Sequence, residues 1–108
     1  MSVTVVRYRT KAERADENQA LIEKVFAALE ADGPDGVRYA SFRLADGVSF
    51  VHVASVETED GTNPLTSSPA FSEFVREIGD RVEEGPLSSA ATVVGSYRFG
   101  PVNDGGPS

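Results

Sequence analysis

The sequence predicts a single α+β domain of ferredoxin-like β-α-β-β-α-β order, in which two helices cover one face of an antiparallel four-stranded sheet. Three observations predict it: four strand-like runs, two amphipathic segments placed between them, and a length of 108 residues that suits one core. We expect residues 1–99 to form this domain. Residues 100–108, rich in Gly and Pro with little to bury, are expected to be a disordered tail.

The first strand and the first helix follow from their residue patterns. Val3 to Arg9 is rich in β-branched residues and alternates weakly, which predicts a strand. In the segment Asp16 to Ala31, apolar residues recur at steps of three and four, which predicts an amphipathic helix. Asp16 is expected to cap its first turn, and Asp32-Gly33-Pro34 to end it. The apolar positions are Leu21, Ile22, Val25, Phe26 and Leu29.

A β-hairpin is the strongest local prediction in the chain. Its strands are Val37 to Leu44 and Val48 to Val56, and Ala45-Asp46-Gly47 separates them. The Asp-Gly pair supplies the positive-φ residue that a tight hairpin turn needs.

The second half of the chain predicts a loop, a helix and a strand. Glu57 to Ser67 is polar and is expected to be the loop. Ser68-Pro69 then opens a helix, with a hydroxyl cap and proline at the first helical position. Glu83-Glu84-Gly85-Pro86 is expected to end this helix, and Ala90 to Phe99 to form the fourth strand. The apolar stripe of the helix is Phe71, Phe74, Val75, Ile78 and Val82.

Both faces of the predicted strands are apolar. In the third strand, Val51 and Val53 lie on one face, while Phe50 and Val56 lie on the other. Such strands are usually buried on both sides, yet two helices cover only one. We therefore expect a homodimer in which the second face packs against a second copy of the chain.

Charge and composition restrict the partners. The net charge of −7 disfavours nucleic acid and anionic membrane surfaces, which would repel the protein. No apolar run reaches membrane-spanning length and no basic leader precedes the first strand, so a cytoplasmic protein is expected. The absence of cysteine excludes disulfides, thiolate metal sites and a cysteine nucleophile.

Three segments of the chain carry a resemblance to a known family. They are Phe50-Val51-His52-Val53, Ser68-Pro69-Ala70-Phe71 and Gly95-Ser96-Tyr97-Arg98-Phe99. Together they resemble the antibiotic-biosynthesis-monooxygenase type of dimeric α+β barrel, and the resemblance covers residues 3–99. It implies this fold, with a pocket between the helices and the sheet of each subunit. Members include cofactor-independent oxygenases acting on aromatic polyketides or quinols, haem-degrading enzymes and many proteins without a known activity.

Two departures from the family pattern bear on function. Many members carry tryptophan near the end of the third strand, where this chain has Val56. The haem-degrading branch uses a histidine of the second helix as iron ligand, and Ser68 to Val82 contains none. We therefore expect no haem chemistry.

His52 is the candidate catalytic residue. It is the only histidine and lies mid-strand among Phe50, Ala54 and Val56, where a neutral imidazole could act as a general base or donate to a ligand carbonyl. The alternative is a core histidine bonded to a hydroxyl or backbone group. A lone histidine without spaced acidic partners makes a poor metal site, so no metal is predicted. No nicotinamide or flavin motif is present, and no cofactor is expected.

The candidate ligand-binding residues are cationic, phenolic and aromatic. Among the strand arginines, which also include Arg9, Arg43 and Arg98, Arg7 is the candidate to bind a carboxylate or phenolate. The alternative is that these arginines end at the sheet edge or form ion pairs across the dimer. Tyr39 is expected to donate a phenolic hydrogen bond, although buried tyrosines are also ordinary core residues. Aromatic walls are expected from Phe26, Phe50, Phe71 and Phe74.

Two functions remain open on the sequence. The first is a cofactor-independent monooxygenase acting on a small aromatic or quinone-type metabolite, with His52 as base. The second is a non-catalytic homodimer that binds a small molecule or is purely structural.

Overall fold

The computed structural model describes residues 3–58 and 63–98 as a four-stranded antiparallel sheet with helices on one face. The strands lie in the order β2-β3-β1-β4, so the predicted ferredoxin-like α+β class is confirmed. A 3₁₀ turn at Ala12–Arg14 precedes the first helix. The elements are β1 (Val3–Thr10), α1 (Ala15–Asp32), β2 (Val37–Arg43), β3 (Ser49–Val56), α2 (Pro69–Val75), α3 (Ile78–Arg81) and β4 (Val82–Ala91).

The helix-covered face of the sheet is set by the alternation of the central strands. In β1, Tyr8 is buried beneath the helices while its neighbours Arg7 and Arg9 are exposed. β1 and β3 pair so that Tyr8 lies opposite Phe50 and Val6 lies opposite His52. Helix α1 contributes Ala15, Ile22 and Val25 to the same core.

The predicted ends of α1 are partly correct. Gly33 adopts a left-handed conformation with φ of 55°, and its amide donates to the Leu29 carbonyl at 2.7 Å, which ends the helix as predicted. The predicted cap at Asp16 is wrong, because the helix begins one residue earlier, at Ala15. The Asp16 carboxylate instead accepts a hydrogen bond from Arg43 at 3.1 Å.

The hairpin between β2 and β3 forms as predicted. Gly47 has φ of 79°, and the Asp46 carboxylate accepts hydrogen bonds from the amides of Val48 and Ser49. The turn thereby fixes a register in which Ser41 lies opposite His52.

The prediction of one continuous second helix is wrong. Helix α2 ends at Val75, and Glu77, with φ of 62°, reverses the chain before the single turn of α3. The break frees the carbonyls of Phe74 and Arg76, and the buried guanidinium of Arg81 donates to both. A side chain thus replaces the backbone donors that a continuous helix would supply.

The predicted position of the fourth strand is also wrong. The strand spans Val82–Ala91 rather than residues 90–99, so Gly85 and Pro86 lie inside it. Proline is tolerated because β4 is an edge strand. Gly85 has φ of 93° at a bulge that shifts the pairing with β1 between Arg7 and Arg9.

The helix-free face of the sheet has an apolar region around Val3, Val5 and Val53. These valines line a groove together with Ala91, the last residue of β4, and residues 92–97, which follow it. Among described residues, large apolar side chains more than half exposed are Leu87, Val93, Val94 and Tyr97. The predicted tail, residues 100–108, lies outside the described residues. No helix within residues 3–58 and 63–98 is both long and apolar enough to cross a membrane.

Candidate functional site

A cavity of about 490 Å³ lies between the sheet and the segment that carries α2 and α3. Its floor is the helix-covered face of β1, β2 and β3, and residues 63–66 contribute to its wall. None of the described residues that line it carries a formal charge at neutral pH. They are Thr4, Val6, Tyr8, Tyr39, His52, Ala54, Val56, Asn63, Leu65, Thr66, Phe71, Phe74, Val75, Ile78 and Pro86.

His52 is the centre of a buried hydrogen-bonded cluster on the cavity floor. Its Nε2 lies 2.8 Å from the hydroxyl oxygen of Tyr8. Its Nδ1 lies 2.7 Å from the Tyr39 hydroxyl oxygen and 2.7 Å from Ser41 Oγ. Both ring nitrogens therefore have protein partners, and the imidazole still borders the cavity.

Strand pairing explains why these groups meet. β1 and β2 flank β3, so side chains from both neighbouring strands reach the two sides of His52. Ser41 lies directly opposite His52, whereas Tyr39 lies opposite Ala54 and reaches diagonally. The rings of Tyr8 and Tyr39 stack on the imidazole, with centroids 5.4 Å and 5.8 Å away.

A second layer of polar side chains supports Tyr8. The amide nitrogen of Asn18, on α1, donates to the Tyr8 hydroxyl at 2.8 Å. Arg81 Nε donates to the amide oxygen of Asn18 at 3.1 Å. Both residues are buried: Asn18 has no solvent-exposed surface, and Arg81 is 2% exposed. The guanidinium also lies 5.5 Å from the centroid of the Phe74 ring.

Burial shifts the pKa values of His52, Tyr8 and Tyr39 further from neutral pH, in the direction that favours the uncharged form of each group. It lowers the pKa of His52 from 6.5 to about 4, because an imidazolium is poorly solvated there. Burial likewise raises the pKa values of the Tyr8 and Tyr39 hydroxyls above their ordinary value. Burial lowers the pKa of Arg81, but a guanidinium remains protonated in proteins.

The structure brings four of the predicted site residues together. His52, Tyr39, Phe71 and Phe74 all line the cavity. The hydrogen bonds of His52 to hydroxyl groups agree with the alternative interpretation, a core histidine. Its position on the cavity floor agrees with the functional interpretation, which needs an imidazole beside a ligand.

The other predicted residues lie elsewhere. Arg7 is exposed and faces the side of the sheet without helices, because its neighbour Tyr8 faces the helices. Phe50 is buried behind Tyr8, with ring centroids 5.6 Å apart, and does not line the cavity. Phe26 stacks on Tyr39 at 5.0 Å and is also outside the lining.

Sequence reasoning missed Ser41, Asn18 and Arg81. A signal for Asn18 existed, because it continues the apolar stripe of α1 at a three-residue step from Ala15, where a buried amide needs partners. Arg81 similarly follows Ile78 by three residues, but only the break before α3 makes it reach Asn18.

No group of three or more His, Cys, Asp or Glu side chains that could hold a metal ion occurs within residues 3–58 and 63–98. The uncharged, mainly apolar lining is suited to a neutral or weakly acidic organic molecule.

Comparison with known proteins identifies the fold. No protein-family model and no curated protein matches this chain. Among solved structures, Rv0793 from Mycobacterium tuberculosis has a TM-score of 0.69 at 16% identity, covering 88% of this chain and 96% of its own. An antibiotic biosynthesis monooxygenase has a TM-score of 0.68 at 13% identity, covering 88% of this chain and 100% of its own.

SnoaB, a cofactor-independent oxygenase from Streptomyces nogalater, has a TM-score of 0.62 at 15% identity, with 90% of this chain and 96% of SnoaB covered. The chain therefore has the fold of the antibiotic-biosynthesis-monooxygenase-like proteins, as the resemblance in its sequence predicted.

Proposed function

We propose that the protein is a cofactor-independent oxygenase that binds a small aromatic or quinone-type metabolite in the cavity beneath α2 and α3. One observation carries this proposal. The cavity is mainly apolar, none of the described residues that line it is charged, and the polar groups of its floor include the Tyr39 hydroxyl and the His52 imidazole, whose hydroxyl oxygen and Nδ1 are 2.7 Å apart. A ring system with one polar oxygen matches such a site.

The dimensions of the cavity support a ligand of this size. Small-molecule sites in proteins typically enclose roughly 300–1,000 Å³, and this cavity encloses about 490 Å³. Phe71 and Phe74 supply aromatic walls against which a flat ring can pack. The fold shared with SnoaB, itself an oxygenase without a cofactor, supports the same class of reaction.

The proposed chemistry needs dioxygen as the oxidant and no other redox partner. For an anthrone, a ring CH₂ loses a proton to a water molecule to give an enolate, whose oxygen is held by hydrogen bonds at the polar end of the cavity. The enolate transfers an electron to O₂, recombination of the two radicals gives a peroxide anion, and this anion takes a proton back from water to give a hydroperoxide. Loss of water leaves a new carbonyl, so one CH₂ and one O₂ become one C=O and one H₂O.

A non-catalytic binding protein is the second candidate, and a specific observation favours it. Both ring nitrogens of His52 are within 2.8 Å of protein hydroxyls, so neither is free to take a substrate proton directly. A binder would retain the apolar cavity and its polar end but would release its ligand unchanged.

The two candidates are separated by turnover. The protein is incubated with 1,8-dihydroxyanthrone in air-saturated buffer, and O₂ uptake is recorded together with the absorbance of the anthraquinone product. An oxygenase consumes one O₂ per product and loses rate in Tyr39→Phe but not in Tyr97→Phe, whose hydroxyl is on an exposed residue outside the cavity. Saturable binding of the anthrone without O₂ uptake supports the binder, and neither binding nor uptake rejects both.

We further propose that the protein is a homodimer joined through the helix-free face of the sheet. That face carries Val5, Val51 and Val53, and the segment beside it exposes Val93 and Val94. An exposed apolar surface of this kind is typical of an interface. The net charge of −7 disfavours nucleic acid as a partner.

A further inference from the structure

We infer that Asn18 and Arg81, neither of which lines the cavity, are positioning residues that fix which nitrogen of His52 carries its proton. They thereby make the polar end of the cavity a hydrogen-bond donor. The consequence for the ligand rests on the proposed function, whereas the protonation pattern itself concerns the ligand-free protein.

The direction of hydrogen bonding begins at Arg81. A guanidinium can only donate, so the atom of Asn18 that lies 3.1 Å from Arg81 Nε must be the amide oxygen. The amide nitrogen of Asn18 then faces Tyr8 and donates to its hydroxyl oxygen at 2.8 Å. The reversed amide would place N–H groups against the guanidinium, so a buried Arg81 excludes it.

The hydrogen bond from Asn18 determines which way the hydrogen bond between Tyr8 and His52 runs. The Tyr8 hydroxyl has one hydrogen, and its oxygen already accepts a hydrogen bond from Asn18. The remaining neighbour is Nε2 of His52 at 2.8 Å, so the Tyr8 hydrogen is donated to that nitrogen. If Nε2 carried the proton instead, the Tyr8 hydrogen would have to point into the cavity without a protein acceptor among the described residues. Tyr8 is 5% exposed and Tyr39 is only partly buried, so an unpaired hydroxyl hydrogen is costlier on Tyr8 than on Tyr39.

The proton of neutral His52 is therefore on Nδ1. Nδ1–H donates to the hydroxyl oxygens of Tyr39 and Ser41, each 2.7 Å away. With its oxygen accepting from Nδ1–H, Tyr39 directs its own hydrogen into the cavity that it lines.

This polarity defines the ligand atom that the site recognises. The Tyr39 hydroxyl is the hydrogen-bond donor at the cavity end of this series of side chains. It favours a ligand atom that only accepts, such as a carbonyl or phenolate oxygen, over a hydroxyl or amine group, which also has hydrogens to donate. The same polarity also means that His52 stabilises oxygen charge through Tyr39 instead of removing a proton itself.

The chain contains a single histidine, so the inference can be tested by nitrogen NMR of the ligand-free protein without ambiguity of assignment. Long-range proton–nitrogen correlation of uniformly ¹⁵N-labelled protein at pH 7 distinguishes a protonated from an unprotonated ring nitrogen. We expect Nδ1 to be protonated and Nε2 unprotonated. The opposite pattern in the unmodified protein overturns the inference, whether or not any ligand binds.

Asn18→Asp tests the role of the positioning residues. A carboxylate has no hydrogen to donate, so the Tyr8 hydroxyl would donate to it and accept from His52, and the proton of His52 should move to Nε2. Ser41→Ala is the control, because Tyr39 still accepts from Nδ1–H and the pattern should not change. A folded Asn18→Asp variant with its proton still on Nδ1 contradicts the inference, and if that variant does not fold the result on the unmodified protein decides alone.

Discussion

The hydroxyl oxygen of Tyr39 lies 2.7 Å from Nδ1 of His52, although the two residues are not opposite each other in the sheet. Tyr39 pairs with Ala54, and its side chain crosses diagonally to the imidazole of the neighbouring strand. This contact places a phenol that lines the cavity in direct connection with a buried imidazole. The proposed function depends on that connection.

Replacement of Tyr39 by Phe removes the hydroxyl and keeps the ring. We expect the affinity for 1,4-naphthoquinone to fall about 5- to 10-fold, which corresponds to the net value of one hydrogen bond, about 1 kcal/mol. Isothermal titration measures the change. Tyr97→Phe makes the same chemical change on an exposed side chain and should bind like the unmodified protein. Unchanged affinity in Tyr39→Phe would contradict a hydrogen bond between the Tyr39 hydroxyl and the ligand.

The stability of the protein should depend on pH through His52. The pKa is about 4 in the folded state and 6.5 ordinarily, so the unfolded chain binds the proton more readily. The stabilising effect of the neutral ring is complete above pH 6.5 and is lost as pH falls towards 4. The loss amounts to about 3 kcal/mol.

Urea denaturation of the unmodified protein and of His52→Gln at several pH values measures this effect. The carboxylates of the two proteins titrate alike, so the difference between their curves isolates the imidazole. If the free energies of unfolding of the two proteins change in parallel from pH 7 to pH 4, protonation of His52 does not destabilise the folded state and the prediction is contradicted.

Gly85 should not tolerate a side chain. Its φ is 93°, and a Cβ there would lie 3.0 Å from the Arg7 carbonyl oxygen. Gly85→Ala is therefore expected to lower the free energy of unfolding by about 1 to 3 kcal/mol. Gly79→Ala is the matched control, because Gly79 lies in α3 with no atom near its would-be Cβ, and it should be neutral or slightly stabilising. Similar denaturation midpoints for the two variants would contradict the bulge in β4.

The helix-free face should carry the dimer interface. Val53→Asp places a carboxylate in the middle of that face and is expected to weaken association by several kcal/mol. Leu44→Asp, beside the hairpin turn and already 42% exposed, serves as the control. Sedimentation velocity at micromolar concentration should show a dimer for the control and a monomer or unfolded chain for Val53→Asp. A folded monomer in the unmodified protein would contradict the proposal.

Local signals were sufficient for much of the fold. The Asp46-Gly47 turn fixes the hairpin, and Gly33 ends α1, because both depend on residues adjacent in sequence. The fourth strand was misplaced because Gly85 and Pro86 ordinarily interrupt structure, and only the edge position of β4 and its bulge accommodate them.

The candidate site was less predictable for two physical reasons. Val5 and Val6 are both apolar, so the alternation of β1 did not indicate whether Arg7 or Tyr8 faces the helices. The support for Tyr8 comes from Asn18 and Arg81, which are 63 residues apart and meet only after the chain breaks before α3. His52 and Tyr39 could be predicted as site residues because the hairpin register alone brings them together.

A ring-containing ligand is proposed to bind in the cavity with its oxygen at the Tyr39 hydroxyl, beside His52. Titration of ¹⁵N-labelled protein with 1,4-naphthoquinone, following the ring resonances of the only histidine, tests it most directly. We expect the His52 ring signals to shift saturably at one equivalent of quinone per chain, while the backbone amide of the exposed Tyr97 is unchanged. Saturable binding of the quinone that leaves the His52 ring signals unmoved, or no saturable binding at all, would contradict the account.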